Sequence, residues 1–567
     1  MSKPVETLTP KRGEGSQNRV EFETIAERWS NISISYHSAM NAPPPLRRIE
    51  IAVLMISVLI VAISGIAYEL IIAAVSSYLI GNGVLQFSLT IGLFMLAMGI
   101  GSLLSQRIGG NLIGWFVAIE LALSMLGGWS TSLLFWAYPG YTMYRPVSWA
   151  LILSIGTLVG LEIPLLTRIL STATTWRSAI ANVLSLDYFG ALVGSVAFPL
   201  FLLPTLGLFQ SSLGVALLNV LVAIGTLIPL GHHLRGRVIY WIASIAVVVC
   251  LAAGLAGSNW LEDRAEAQLF ASNIVYRQQT PYQRIIVTRN GRDDEIRLYL
   301  DGHLQFAGND EHRYHESLVH PAMSIPMQRS ENNADGGARV LVLGGGDGLA
   351  VRELLKFPQI GTIDLVDIDP AMTQLANRFA PLRKLNRGAL TDPSVTIHHT
   401  DAFSFVRDAG SIVGGPSAIA RPYDRVIIDL PDPHNEALSK LYSVEFYKLL
   451  RRIIAEDAVI VCQSSSPVFT RRAYWCVKET MVAAGYQTHS YTIPIASFGP
   501  WGFHLASPSR LPETIKIDDR KTRYLTTEVL RAAATFGGDE SPLPVVANRL
   551  FEPTIYLYYV EELTASR

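Results

Sequence analysis

Cysteine is scarce in this chain of 567 residues: Cys250, Cys462 and Cys476 lie far apart, and none belongs to a CxxC pair. This spacing argues against a disulfide framework and against a zinc site, and we expect no bound metal. An excess of positive charge is also missing, because 46 Lys and Arg residues face 47 Asp and Glu residues. A protein that holds nucleic acid with a basic face is therefore not expected.

Charged residues are few overall, at 16% of the chain, and the deficit lies in one region. Residues 51–260 contain six Arg, four acids and no Lys, whereas residues 1–50 contain 13 charged residues. Soluble domains have about 25% charged residues. The sequence therefore joins a segment with the composition of a membrane domain to one with the composition of a soluble enzyme.

The apolar region contains stretches that are long enough, as helices, to cross a hydrocarbon core of about 30 Å. They lie near residues 51–75, 83–105, 112–137, 147–167, 186–207, 210–230 and 238–257. We predict a polar, disordered tail over residues 1–49 and an α-helical transmembrane domain of about seven helices over residues 50–258.

Arginine placement predicts the orientation of this domain. The loop arginines fall mostly on the side of the N-terminus, which favours a cytoplasmic N-terminus. Seven crossings would then put the C-terminal half outside the cell, at odds with the cytosolic chemistry predicted below. We therefore expect one stretch to be re-entrant, or the count to differ by one, with the catalytic domain on the cytoplasmic side of the inner membrane.

Four acids lie within or beside the apolar stretches: Glu69, Glu120, Glu162 and Asp187. A carboxylate is costly in lipid, so such residues face the interior of a helical bundle. They favour either a cation or proton path or pairing with polar groups of neighbouring helices, and the sequence leaves both interpretations open.

The residue pattern of the chain changes after Trp260. Short alternating runs with turns at Asn290-Gly291 and Asp301-Gly302 predict a small antiparallel β domain over residues 259–335. The remaining chain predicts a Rossmann-like, methyltransferase-type α/β domain over residues 336–507, followed by a C-terminal extension over residues 508–567.

The Rossmann-like prediction rests on one sequence of elements. An apolar strand at residues 339–343 is followed by the glycine loop Gly344 to Gly348 and by a helical pattern over residues 349–357. The next strand, at residues 362–366, leads to Asp367. Glycines at such a turn let the backbone approach a nucleoside, and the acid accepts hydrogen bonds from ribose hydroxyls.

Four successive strands lead to acids, namely Asp347, Asp367, Asp401 and the pair Asp429 and Asp432. The carboxyl ends of parallel strands form one ligand crevice, so these acids are expected at a single rim. One such acid is often a turn or N-cap residue, but capping does not account for four in register. Hard-cation sites gather oxygen ligands around one point, whereas these acids are spread along a rim. A cationic substrate is therefore favoured, and an acid within the glycine loop favours an amine.

The soluble half resembles the polyamine aminopropyltransferases, or spermidine synthases. The matching segments follow the family order: Tyr282-Gln283, Leu300-Asp301-Gly302, Gln305, Asp310-Glu311, Tyr314-His315-Glu316, Gly344 to Gly348, Asp367-Ile368-Asp369, Asp401-Ala402 and Asp429 to Pro433. The apolar N-terminal half and the segment from Ser497 to Phe503 look like the membrane-bound bacterial branch of this family.

The resemblance implies transfer of the aminopropyl group of decarboxylated S-adenosylmethionine, a co-substrate, to putrescine, which yields spermidine and methylthioadenosine. No permanently bound cofactor is implied. By match to the family motifs, Asp429 would be the base that takes a proton from the amine, and Asp347, Asp432, Tyr314 and His315 would bind the amine. The residues that would hold the nucleoside of the donor are Gln283, Gly344, Gly346, Asp367, Asp401 and Ala402.

The chain departs from the family pattern at Leu430-Pro431, at Glu436 and at Ala496, where the family has a tyrosine that would line the amine pocket. These departures bear on the identity of the acceptor. Two alternatives remain: a methyltransferase that uses intact S-adenosylmethionine, and a polyamine transporter or sensor whose soluble domain only binds ligand. The small β domain resembles one that pairs subunits in the family, so we expect a homo-oligomer in a lipid bilayer.

Overall fold

The computed structural model describes residues 46–80, 83–138, 141–234, 236–270, 272–291, 294–327, 337–411 and 421–565. Of the tail predicted for residues 1–49, residues 1–45 lie outside the described residues. The described chain consists of a helical half, a small antiparallel sheet and a large mixed sheet covered by helices.

The helical half contains seven long apolar helices and one shorter helix among the described residues. They are α1 (Arg48–Ile80), α2 (Gly83–Leu104), α3 (Leu112–Ala137), α4 (Tyr141–Leu170), α5 (Trp176–Ala197), α6 (Leu203–Leu230), α7 (Arg237–Ala256) and α8 (Ser258–Leu269). Six segments are long and apolar enough to cross a membrane, and the fifth runs for 58 residues from Trp176 to His233. As one straight helix this stretch would be about 90 Å long, three times a hydrocarbon core. It is instead interrupted between Ala197, where α5 ends, and Gly207, which lies near the start of α6 and has a non-helical φ of 69°.

Packing shows that α5 and α6 run in opposite directions. One apolar cluster contains Leu54 at the start of α1, Val183 at the start of α5 and Leu230 at the end of α6. A second cluster contains Leu79 at the end of α1 and Phe209 near the start of α6. The 58-residue stretch therefore leaves one face of the bundle and returns to it, which makes two passes.

The number of passes decides where the soluble half begins. Helix α7 leaves the face at which α6 ends, and Leu261 of α8 packs into the cluster at the other face. The described helices α1 to α7 thus make seven passes. The N-terminal end of α1 and the start of the soluble half lie at opposite faces of the bundle.

The acids of the apolar region lie mainly inside the bundle. Glu120 and Glu162 are fully buried and lie close to each other, and Glu69 is 8% exposed. The fully buried Tyr68 is in electrostatic contact with Glu120 and Glu162. Asp187 is half-buried. The interior holds these groups because a charge facing lipid is costly.

The small sheet is antiparallel and has the order β1-β2-β3-β4. Its strands are β1 (Asn273–Gln279), β2 (Arg284–Arg289), β3 (Ile296–Leu300) and β4 (His303–Ala307). Ile285, Val287 and Leu298 are buried in the same apolar cluster as the first strand of the large sheet. The small sheet is therefore packed against the α/β unit and contributes to one wall of its site.

The large sheet has seven strands in the order β10-β11-β9-β8-β5-β6-β7. Strands β5 to β9 are parallel, and β10 and β11 are antiparallel. The bounds are β5 (Ala338–Gly344), β6 (Ile360–Asp367), β7 (Val395–His399), β8 (Tyr423–Asp429), β9 (Ile454–Gln463), β10 (Gln487–Ile495) and β11 (Gly499–Ser507). The chain builds outward from β5 to β7 and then resumes at β8 on the other side of β5. Ligands bind at such a switch point in open α/β sheets.

The helices of the soluble half cover both faces of this sheet. They are α9 (Glu311–Met323), α10 (Leu349–Leu354), α11 (Pro370–Arg378), α12 (Ala380–Leu385), α13 (Ala402–Ser411), α14 (Glu436–Ser439), α15 (Val444–Leu450), α16 (Arg471–Ala483), α17 (Thr527–Ala533) and α18 (Thr554–Ala565). Two apolar clusters fill the space on the two faces. The predicted fold class is thereby confirmed, whereas the predicted domain limits remain predictions. The helix predicted over residues 349–357 ends at Leu354, ahead of Pro358, which disfavours helical backbone at the residue before it.

Arg425 provides a test of this architecture, because it is fully buried in β8 and ties the end of α9 to the sheet. Its guanidinium donates to the carbonyl oxygens of Ala322 at 2.9 Å and Ile325 at 2.5 Å. Arg425→Leu should lower the free energy of unfolding by about 3 kcal/mol, because two buried carbonyls lose a charged donor. Thermal unfolding of the detergent-solubilised chain measures this loss. Arg510→Leu, at a side chain that is 87% exposed, is the control, and an equal loss in both variants would contradict the assignment.

Candidate active site

A cavity of about 780 Å³ lies at the carboxyl ends of β5, β6 and β8. Strands β5 and β8 are in register there, with Gly344 opposite Asp429. All eleven residues that the sequence predicted for the site line this cavity: Gln283, Tyr314, His315, Gly344, Gly346, Asp347, Asp367, Asp401, Ala402, Asp429 and Asp432. The topology thus brings together residues from four strand ends, one helix and the small sheet.

The glycine loop owes its shape to two close contacts. Gly344 has a φ of 81°, and a Cβ there would lie 2.0 Å from the carbonyl oxygen of Asp429. A Cβ at Gly346 would lie 2.3 Å from Oδ2 of Asp367. The Gly346 N–H donates to that same oxygen at 2.9 Å. Only glycine at these positions lets the loop touch both neighbouring strands.

One side of the cavity is organised around Asp367. Its Oδ1 accepts a hydrogen bond from the N–H of Asp369 at 2.8 Å, and burial raises the pKa of Asp367 to about 6. Gln283 from the small sheet donates to Oδ2 of Asp369 at 3.0 Å. This hydrogen bond joins the small sheet to the large sheet at this edge of the cavity.

Asp401 differs from the other acids of the rim because it has a cation partner. Lys440 donates to its Oδ2 at 2.9 Å, and the N–H of Ser404 in α13 donates to its Oδ1 at 2.9 Å. Burial acts to raise the pKa of Asp401, but the bond from Lys440 holds it below its ordinary value. Asp401 is thus an N-terminal cap of α13 as well as a residue of the cavity wall.

Three acids on the other side of the cavity have only neutral hydrogen-bond donors. The Tyr314 hydroxyl donates to Oδ1 of Asp429 at 2.7 Å, and the Leu349 N–H donates to Oδ1 of Asp347 at 2.8 Å. Asp432 accepts from Tyr559 at 3.0 Å and from Ser465 at 3.1 Å. Within the described part of the chain, no Lys or Arg forms a salt bridge with any of the three.

Burial and the neighbouring charges set the proton affinity of these acids. Burial raises the pKa of Asp429 to about 6, and Asp347 raises it further, whereas His315 lowers it. Burial also raises the pKa of Asp432 to about 6 and that of Asp347 above its ordinary value. Asp432 has no cation among these neighbours, and a buried carboxylate without a cation partner is costly, so the cavity favours a ligand that brings positive charge.

His315 is oriented by residues behind the cavity. Its Nδ1 donates to the Glu311 carboxylate at 2.9 Å, and both Nη atoms of Arg352 donate to that carboxylate at 2.8 and 2.9 Å. Burial lowers the pKa of His315, but the bond to Glu311 and the negative charges of Asp347 and Asp429 raise it above its usual range. The Glu-x-x-x-His spacing on a helix predicts the contact between Glu311 and His315. No sequence pattern predicts that Arg352 joins them.

The sequence prediction missed further residues of the site. Gln463 donates to the Tyr442 hydroxyl at 2.9 Å and to Asp432 at 3.4 Å. Ser465 has a φ of 65°, a strained value for a residue with a side chain. The polar run that follows the apolar end of β9 signals this part of the rim, because strand ends form the crevice. Tyr559, near the C-terminus, has no such signal.

The departures from the family pattern lie in different surroundings. Ala496 is exposed in a turn and is not among the residues that line the cavity. Leu430 and Pro431 line it, and the Tyr442 hydroxyl donates to the Pro431 carbonyl at 2.9 Å. Glu436 is exposed at the start of α14. The residue at position 496, where the family has a tyrosine, therefore does not form the cavity wall near Asp432 in this chain.

Comparisons with known proteins show what the chain is similar to. Residues 311–517 match the family model of the spermine/spermidine synthase domain. Polyamine aminopropyltransferase 1 of Streptomyces coelicolor is 40% identical over 521 residues, which cover 90% of this chain and 94% of that protein. The polyamine aminopropyltransferase of Leptospira interrogans is 40% identical over 511 residues, 90% of this chain and 98% of that protein. The solved structure of spermidine synthase from Thermotoga maritima is 24% identical, with a TM-score of 0.39 over 47% of this chain and 84% of that chain.

The raised pKa values predict how cation binding depends on pH. Asp429 and Asp432 are charged above about pH 6 and become neutral below it, whereas a diamine keeps its charge because its pKa is about 10. The affinity for putrescine should therefore fall at least about tenfold between pH 7 and pH 5. Isothermal titration calorimetry at constant ionic strength measures this change. In Asp432→Asn, the putrescine affinity should change less between pH 7 and pH 5 than in the wild-type protein. A wild-type affinity that is constant over this range would contradict the prediction.

Proposed function

The chain belongs to the polyamine aminopropyltransferases, and we propose that it transfers the aminopropyl group of decarboxylated S-adenosylmethionine to putrescine. The products would be spermidine and methylthioadenosine. The single observation that supports a diamine acceptor is the group of three acids, Asp347, Asp429 and Asp432, which line the cavity with neutral donors only. The nucleoside of the donor would lie against Asp367 and the glycine loop.

The proposed reaction is a single displacement at carbon. The lone pair of a neutral amine nitrogen attacks the propyl carbon attached to the sulfonium sulfur. A C–N bond forms while the C–S bond breaks, and its electron pair stays with sulfur in methylthioadenosine. The sulfonium is already a good leaving group, so the main obstacle is the protonated state of an amine with a pKa of about 10.

Asp429 is proposed as the base that removes this proton. The Tyr314 hydroxyl holds its carboxylate at 2.7 Å, and burial raises its pKa to about 6, which makes it a stronger base than an ordinary aspartate. Asp432 and Asp347 are proposed to hold the ammonium groups of the substrates. Asp401 and Ala402 are proposed to contact the adenine, with Lys440 as the present partner of Asp401.

We place the enzyme in the inner membrane with its catalytic domain in the cytoplasm. Six segments have the length and apolarity to cross a membrane. The donor is charged and does not cross a bilayer unaided, so the catalytic domain needs access to the cytoplasm. With seven passes, the N-terminal end of α1 would then lie outside the cytoplasm. The loop arginines on the same face of the bundle would lie outside as well. This arrangement opposes the statistical preference of arginine for the cytoplasm, and we give more weight to donor supply.

The small sheet is our proposed contact between subunits of a homo-oligomer.

Product analysis with Asp429→Asn tests the proposed chemistry. Loss of the base should lower kcat about 10²- to 10⁴-fold, while methylthioadenosine binds as before. The measurement is chromatography of products after incubation of the purified protein with the decarboxylated donor and putrescine. Asp408→Asn is the matched control, because this aspartate is 61% exposed on α13. Full turnover by the Asp429 variant would refute its role.

The same assay separates the alternatives. Methyl transfer from intact S-adenosylmethionine, without aminopropyl transfer, would identify a methyltransferase. Binding of both ligands by the wild-type protein without any product would identify a transporter or sensor. Other diamines in the assay decide whether putrescine is the preferred acceptor.

Cysteine labelling tests the orientation. Cys462 and Cys476 are buried and Cys250 is half-buried, so each variant also carries Cys250→Ser. New cysteines at the exposed positions Gln106, on the N-terminal face of the bundle, and Arg510, in the soluble half, report on opposite sides. A membrane-impermeant maleimide should label Gln106→Cys in intact cells and Arg510→Cys only after permeabilisation. The reverse pattern would place the catalytic domain outside the cytoplasm. Labelling of both from one side would contradict seven passes.

A further inference from the structure

The C-terminal helix α18 reaches the catalytic cavity, although it lies beyond the segment that matches the family domain, which ends at residue 517. Tyr559 and Leu563 of this helix line the cavity. The Tyr559 hydroxyl donates to Oδ2 of Asp432 at 3.0 Å. An element outside the matched domain therefore touches an acid that is proposed to bind the amine.

Helix α18 is fastened to the catalytic core on its outer side. The Glu562 carboxylate accepts hydrogen bonds from the Arg472 N–H at 2.9 and 3.0 Å, at the first turn of α16. The Arg472 guanidinium lies 3.9 Å from the centre of the Tyr558 ring and donates to Glu561 at 2.7 Å. A carboxylate at a helix N-terminus is a favourable partner for the free N–H groups there.

The start of the helix is fastened as well. Asn548 accepts from the Ile555 N–H at 3.3 Å and donates to the carbonyl oxygens of Ser439 and Tyr442 at 2.8 and 3.0 Å. These carbonyls belong to the segment that follows the Asp432 loop. The helix is thus held at both ends, so its cavity-facing side chains have a defined position.

The contact has a specific consequence for Asp432. Tyr559 is one of three neutral donors that hold this carboxylate, together with Ser465 and Gln463. A fixed carboxylate binds an ammonium group at a fixed distance from the base. The apolar Leu563 lies one helical turn further along the same face and adds a wall without polar atoms.

We propose that helix α18 determines acceptor specificity: Tyr559 positions Asp432 for the amine, and Leu563 limits the length of the diamine. This inference rests on the proposed function, because it assumes an amine acceptor. Tyr559 is a positioning residue, since it acts through Asp432. Position 496 has only an exposed alanine, so it does not form the cavity wall beside the acceptor amine. In this chain, the C-terminal helix forms that wall.

Tyr559→Phe in the full-length protein tests the positioning role. Removing one hydrogen bond to a charged group should raise the KM for putrescine about tenfold or more, while the KM for the decarboxylated donor stays unchanged. A general loss of structure would raise both values together. Equal effects on both KM values, or no effect on either, would overturn the proposal for Tyr559.

Leu563→Ala tests the length limit with diamines of three, four and five methylenes. The ratio of kcat/KM for the five-methylene diamine to that for putrescine should rise about tenfold, because one methylene in an apolar pocket changes discrimination by this order. Leu557→Ala is the matched control, since Leu557 is 54% exposed on the same helix. An unchanged ratio in Leu563→Ala would overturn the length limit. Absence of product from the wild-type protein with every diamine would instead refute the proposed function.

Discussion

The contact between Gly344 and the backbone of Asp429 is the constraint on which the site depends. Strands β5 and β8 are neighbours there, and a side chain at position 344 would collide with the Asp429 carbonyl. The order of the sheet reverses between these two strands, so the glycine loop and the loop with Asp429 and Asp432 open toward one crevice. In the proposed reaction, a nucleoside on one loop and an amine on the other would thereby come into contact.

Unbalanced charge is the second property that the site depends on. Asp347, Asp429 and Asp432 are held by hydroxyl, amide and backbone donors, whereas Asp401 pairs with Lys440 and Glu311 with Arg352. Acids that serve the structure thus have a cation as a hydrogen-bond partner, whereas these three are hydrogen-bonded only to neutral groups, and His315 is in electrostatic contact with Asp347 and Asp429. Burial raises the pKa of Asp429 and Asp432 to about 6, so keeping them ionised carries a cost in the folded protein. A cationic substrate would relieve it, which couples substrate binding to the ionisation of the site.

The helical half decides on which face of a membrane this chemistry takes place. Helix α8 joins the bundle to the small sheet, because Glu262 accepts from Arg284 at 2.6 Å and Phe270 packs on Tyr299 at 4.6 Å. The interruption between Ala197 and Gly207 turns one long apolar stretch into two passes. One pass more or fewer would move the catalytic domain to the other face, so this short interruption has a large effect on topology.

Sequence by itself determined the fold class, and it placed the acids that follow four successive strands at one edge, because parallel strands bring their carboxyl ends together. Resemblance to a known family added Gln283, Tyr314 and His315, which do not lie at these strand ends. The sequence also marked Glu120 and Glu162 as interior residues, since a charge in lipid is costly. Tertiary structure alone decided that the 58-residue stretch folds back, and that Arg352 supports His315 through Glu311. It alone brought Tyr559 to Asp432, 127 residues away in the chain. No local pattern records such a contact, because it depends on how separate helices pack rather than on the period or motif of either segment.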